Sequence, residues 1–276
     1  MSEAVTEAVT KAQQRAAIQL GQTVVGAIDA ARTAMAMAAA TGDDIERHLG
    51  SVESHLRELA SEGRRVRSAI NPDSALADAQ SVARSLANRL GGIDEDLGEV
   101  AARLGRATEA LSAAQDALLT IQDMPGQDHQ AAAALESRLE RLELAVNTAA
   151  SGTGTARSRV ETARSILARL ANQPPEVSDR EQSTNQIVDA SADVRLETEA
   201  TRQWVSGARD GLNTQKRNGQ VADKRSQELL DAMRVAALPP AAEGAQRPGS
   251  AAADSAGAFT LRPGQRRGVE RPTERE

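Results

Sequence analysis

Cysteine is absent from this chain, and aromatic side chains nearly so: Trp204 and Phe259 stand alone, with no tyrosine. The first absence excludes disulfides, thiol nucleophiles and cysteine-held zinc or iron-sulfur sites. The second makes a thick globular core hard to fill and favours slim, closely spaced helices lined by Ala and Leu. Strand formers are scarce and alanine is abundant, which favours helix over sheet. Lysine is rare too: Lys11, Lys216 and Lys224 are the only lysines among 33 Lys and Arg. Together with the alanine content, this bias suggests a GC-rich bacterial genome.

Long apolar runs are also missing. No segment approaches the roughly 18 uninterrupted apolar residues that cross a bilayer, so no membrane span is expected. Glu3 and Glu7 stand where a cleavable export signal carries positive charge, so the expected compartment is the cytoplasm. Export without a cleavable signal is the alternative. A net charge of −6, spread along the chain, argues against nonspecific nucleic-acid binding.

What is present is periodicity. Leu76, Ala79, Ala83, Leu86, Leu90, Ile93, Leu97, Val100, Leu104, Ala107, Leu111, Ala114, Leu118 and Ile121 follow a strict 3-4 spacing with no polar member. That is the seam of a long helix packed along other helices. A second seam runs through Leu135, Leu139, Leu142, Val146, Ala149, Thr153, Ala156, Val160, Ala163, Leu167 and Leu170, with Thr153 its one polar member. A weaker one comprises Val194, Thr201, Val205, Ala208, Leu212, Ala222, Leu229 and Met233, with a polar stretch at 213–219.

Turn chemistry at Asn71-Pro72-Asp73-Ser74, Asp123-Met124-Pro125-Gly126 and Asn172-Gln173-Pro174-Pro175 divides the pattern, and Pro239-Pro240 ends it. Asp73 or Ser74 is positioned to cap the second helix, and Ser178 with Glu181 the fourth. Four helices are expected, at about 3–70, 74–122, 128–171 and 178–238. Short connections make them an elongated antiparallel (up-down-up-down) four-helix bundle, all-α, spanning 1–238. The second helix alone spans on the order of 70 Å. Residues 239–276 have no apolar period and are expected to form a disordered tail.

The first block shows an apparent phase slip. Ile18, Gly21, Val25, Ile28, Met35 and Ala39 share one register, interrupted by Arg32. Ile45, Leu49, Val52, Leu56, Leu59, Val66 and Ile70 share another. If Ala31 replaces Arg32 in the seam, the slip moves back to about 28–31; the favoured place is 41–44, where Asp43 and Glu46 have capping-box spacing. Either the helix breaks there or it continues through a stammer. Folding at the three turns favours continuity, because the overshooting ends, 3–21 and 227–238, then emerge together and can cover each other.

Few residues suggest chemistry. Asp94, Glu95 and Asp96 lie across the second hairpin from Arg157 and Arg159, and read as an interhelical ion-pair belt. Gly91, Gly92, Gly98, Gly152 and Gly154 share that level, which suggests a bend, a close crossing or a hinge. His48 and His55 are seven residues apart, too far to share a metal along one helix, and no Glu-x-x-His occurs for a bundle metal site. No cofactor is expected. The stretch Trp204-Val205-Ser206-Gly207 resembles, with one residue too many, the Trp-x-Gly turn of small helical proteins exported by type VII secretion. That family's tyrosine-containing signal has no counterpart here, and the four residues do not establish membership.

The sequence therefore points to a non-enzymatic helical scaffold or adaptor working through protein-protein contacts, with an unidentified protein partner. The seams could be completed by a second copy, making a homo-oligomer. In the tail, the island of Phe259 and Leu261, followed by Arg262, Arg266 and Arg267, is a second candidate contact. The alternative is a secreted or injected helical protein of a bacterial secretion system, a type VII-like substrate or a toxin-associated partner.

Overall fold

A computed structural model describes residues 2–124, 129–174 and 177–236, with side chains described outside 2–5, 14, 129–131 and 216–236. All secondary structure among them is α-helical: α1 (Ser2–Ser68), α2 (Pro72–Gln122), α3 (His129–Ala171) and α4 (Arg180–Ala236). The helices pack in cyclic order, α1 on α2, α2 on α3, α3 on α4 and α4 back on α1, while α4 scarcely touches α2. This is the antiparallel four-helix bundle that the seams imply. At about 1.5 Å per residue, α1 alone is about 100 Å long.

Every expected seam residue of α2 is buried, and every one of α3, Thr153 included. The α1 seam differs from the expected one. The buried residues include Gly21, Val24, Ile28, Ala31, Met35, Ala38, Gly42, Ile45, Leu49, Val52, Leu56, Leu59, Gly63 and Val66, an unbroken 3-4 series, with Ala39, expected in the first register, and Thr41 buried beside it. No phase slip exists, and α1 runs through 41–44 without a break. The apparent slip arose from following the larger side chains. Val24, not Val25, faces the core; Ala31 takes the place assigned to the Arg32 register; and Gly42 fills the position where a break looked plausible. Gly21, Gly42 and Gly63 occupy one seam position three heptads apart. Ile18 is exposed, and Ile70 lies wholly in solvent beyond the helix end.

The α4 seam is likewise fuller than its apolar residues suggest. Thr184, Ile187, Ser191, Val194, Thr198, Thr201, Val205 and Leu212 are buried, and half-buried Ala208 completes the 3-4 series. The hydroxyls of Ser191, Thr198 and Thr201 donate to carbonyls of their own helix, at Val188, Arg195 and Glu197. Donation into the preceding turn is how Ser and Thr tolerate burial in a helix. The α4 backbone stays helical through 213–219. Ala222, Leu229 and Met233 lie outside the described side chains, as does the far side of the expected overlap at 227–238. On the near side, none of the described side chains from Thr6 to Leu20 is buried.

The caps shift by a residue or two. Asn71 caps α2: its side chain accepts from the Ser74 amide at 3.3 Å, and Pro72 occupies the first turn, where its missing N–H costs nothing. Asp73 instead accepts from the Val177 amide at 2.9 Å, tying the start of α2 to the α3–α4 connection. At α4 the cap is Asp179 rather than Ser178, accepting from the Glu181 and Gln182 amides at 2.9 and 3.1 Å.

Candidate functional site

The seams stack residues from all four helices in layers. One layer is Gly42, Val100, Thr153 and Ala208. The next is Ile45, Leu97, Ala156 and Val205, and on the other side lie Ala38, Leu104, Ala149 and Leu212. All twelve line one small crevice of about 20 Å³, room for about one water molecule. Its middle layer sets a glycine, an alanine and a threonine beside a single valine, the smallest set of side chains of the three layers. Trp204 and Arg209 of α4 also line it. The Trp204 ring lies over Gly152 of α3, where a Cβ would sit 3.3 Å from Cε3. Trp204 is thus an interior helix residue packed on a neighbour, half exposed, and not part of a turn.

Two arginines grip α1 at this level. From α4, Arg209 Nη1 donates to Asp43 at 3.2 Å and to Glu46, and Nη2 donates to Asp210 at 3.1 Å. Burial pulls the Arg209 pKa down, but these carboxylates outweigh it and leave it raised. From α2, Arg103 Nη1 donates to the Met37 carbonyl at 2.7 Å and to Thr41 Oγ1, while Nη2 pairs with Glu99. Arg103 Nε is buried without a partner. Asp43 and Glu46, which have capping-box spacing, therefore serve α4 rather than a helix start.

The acidic cluster is divided among three helices. Arg157 Nε donates to Asp94 Oδ1 at 3.1 Å, and Arg164 approaches the other oxygen at 3.9 Å. The Asp94 hydrogen bond and charge raise the Arg157 pKa. Arg159 turns away to Glu197 of α4 at 3.1 Å, and Asp96 lies 3.3 Å from His48 of α1. Glu95 is exposed and enters none of these pairs. The belt thus laces α2 to both neighbours, with Arg159 serving the α3–α4 face instead. The nearby glycines do not form a close crossing. Gly92 and Gly154 have open space, Gly91 and Gly98 see only arginine ends, and Gly152 alone meets a ring. Both helices pass through without a break.

His55 Nδ1 lies 2.9 Å from its own helix's Ser51 carbonyl. Among the described residues, no group of three or more His, Asp or Glu is placed to hold a metal ion, and no helix is long and apolar enough to cross a membrane. Phe259, Leu261, Arg262, Arg266 and Arg267 lie outside the described residues. Sequence reasoning missed Arg103, Arg209 and Gly63. Only the glycine at seam spacing carried a sequence signal; the arginines look like any surface arginine until the helices are placed together. No known family model, curated protein or solved structure matches this chain.

Proposed function

We propose that this protein is a non-catalytic helical scaffold or adaptor, of bacterial type, that holds protein partners along or at the ends of its bundle. The observation that carries this reading is the unbroken registry of the four seams. It accompanies an α1 that is one continuous helix of about 100 Å at the ordinary helical rise. The layered part of the bundle, Gly21 to Val66 on α1, is about 70 Å long, and a heptad-layered rod of that length keeps attachment points at a fixed separation, which is what a spacer or adaptor requires. Its polar seam positions and interhelical ion pairs are spent on register within the bundle, and its outward faces are left for other proteins.

The test is affinity capture with the full chain and with residues 239–276 removed, at physiological salt, each bound protein quantified against the bait. A partner held near equal stoichiometry by the full chain is the expected result. Loss of that partner on truncation, reproduced by Phe259→Ala, would assign the contact to the tail; its retention would assign the contact to the bundle. A chain that retains nothing near stoichiometric level in either form overturns the reading.

A further inference from the structure

The four helices are not equally anchored. Of the nine α4 seam positions from Thr184 to Leu212, four carry a hydroxyl: Thr184, Ser191, Thr198 and Thr201. The α2 seam carries none and the α3 seam only Thr153. Thr184 Oγ1 is buried with no partner, which costs the docked state a desolvated hydroxyl. α4 contributes Trp204, Val205, Ala208, Arg209 and Leu212 to the crevice lining, more than any other helix. Of the ion pairs that reach α4, Arg67–Glu181 at 3.8 Å is exposed on both sides and holds weakly, whereas the better-buried ties, Arg159 to Glu197 and Arg209 to Asp43 and Glu46, lie further along the helix.

We infer that α4 is a separable element, opening as a unit over residues 180–212 from a remainder of α1, α2 and α3 that stays folded. What returns it to one register is shape. Ile187 fills the notch at Gly63, Val205 and Arg209 lie over Gly42, and Trp204 lies over Gly152. Opening bares the inner faces of α1 and α3 while leaving the all-apolar α2 seam between them. The inference stands whether or not the scaffold reading holds, since it concerns the bundle's own equilibrium.

Native-state amide hydrogen exchange on the full chain tests it. Amides of residues 187–205 are expected to exchange at one shared rate, about ten-fold or more faster than those of residues 86–111. Amides of α1 and α3 at the same levels should stay as slow as α2. Replacing the seam hydroxyls, as Thr184→Val, Ser191→Ala, Thr198→Val and Thr201→Val together, should close the gap. Thr201→Val alone serves if the combined variant misfolds, and should narrow it. Equal rates in α2 and α4, a gradient rising from the helix ends as simple fraying gives, or a gap untouched by the substitutions would each overturn the inference.

Discussion

α2 and α4 occupy opposite corners of one bundle and follow the same 3-4 spacing, yet their seams are made of different material. From Leu76 to Ile121 the α2 seam is wholly apolar, whereas α4 alternates Ile187, Val194 and Val205 with threonine and serine. Both are buried to the same degree at their centres: Leu90 and Thr201 are equally sealed from solvent. The difference shows that spacing, not hydrophobicity, places a residue in a seam once neighbouring helices set the register. Hydrophobicity decides how strongly the helix is held there.

The sharpest way to break the comparison is to cut the apolar seam. Leu111→Ala in α2 removes a fully buried side chain and should cost about 2–5 kcal/mol, the range for truncations in tight cores. Exposed Glu109→Gln should cost less than about 0.5 kcal/mol. Equal, small shifts in melting would mean that α2 is no better anchored than the surface.

Next come the notches that receive α4. A Cβ at Gly63 would sit 2.7 Å from Ile187 Cγ2, with Ile187 itself fully buried. Gly63→Ala should therefore destabilise by about 1–3 kcal/mol, as overpacking does, and Ile187→Val in the same chain should recover part of it. At Gly42 a Cβ would meet Arg209 and Val205 at 3.7 and 3.8 Å, ordinary contact distances. Gly42→Ala should thus stabilise, by up to about 1 kcal/mol from helix propensity. Denaturant midpoints giving the two substitutions the same sign would show that the notches do not discriminate.

Thr201→Val sharpens the comparison from the other side. The hydroxyl satisfies itself on the Glu197 carbonyl at 2.8 Å, so exchanging it for a methyl loses no cross-helix bond and adds apolar burial. A gain of about 0.5–1 kcal/mol is expected by thermal melting. A loss would mean that the α4 hydroxyls contribute more than spacing.

The smallest effect concerns acid. The Glu53 carboxyl lies below its usual pKa, first because Arg57 donates to it and then through Arg57 and Arg202 charge. A depressed folded-state pKa gives a contribution present at neutral pH and lost as pH falls through the carboxylate range. Glu53→Gln should therefore leave stability unchanged in acid strong enough to protonate the lowered carboxyl and lower it slightly at pH 7, and the difference should shrink in salt because Glu53 is partly open to solvent. Melting curves at the two pH values decide it, and a larger effect in acid would refute the sign.

The α2 and α3 seams were legible in full, because Leu, Ile, Val and Ala at 3-4 spacing leave one reading of which face is inward. The helix ends followed from Asn71-Pro72 and the prolines near 125 and 174, to within about two residues, the usual ambiguity at a terminus. The α1 register was misjudged where Ala31, Ala38 and Gly42 carry the seam, since small side chains give little hydrophobic signal and the eye moves to Val25 and Arg32. The α4 register was only half visible for the same reason, with threonine standing where leucine would announce itself.

By itself, then, the sequence determined the class, the number of helices and their order, because these depend on periodicity and on turn residues that act locally. Only the tertiary structure decided which glycines are notches and which are idle. Gly63 and Gly92 look alike in the chain, but one faces Ile187 and the other faces open space. It also decided that Arg159 serves Glu197 while Arg157 serves Asp94, and that Arg209 crosses to Asp43 and Glu46. Such choices belong to residues more than a hundred positions apart, or to neighbours on one helix that face different partners. Their physical reason is the relative height of the packed helices, which no single helix encodes.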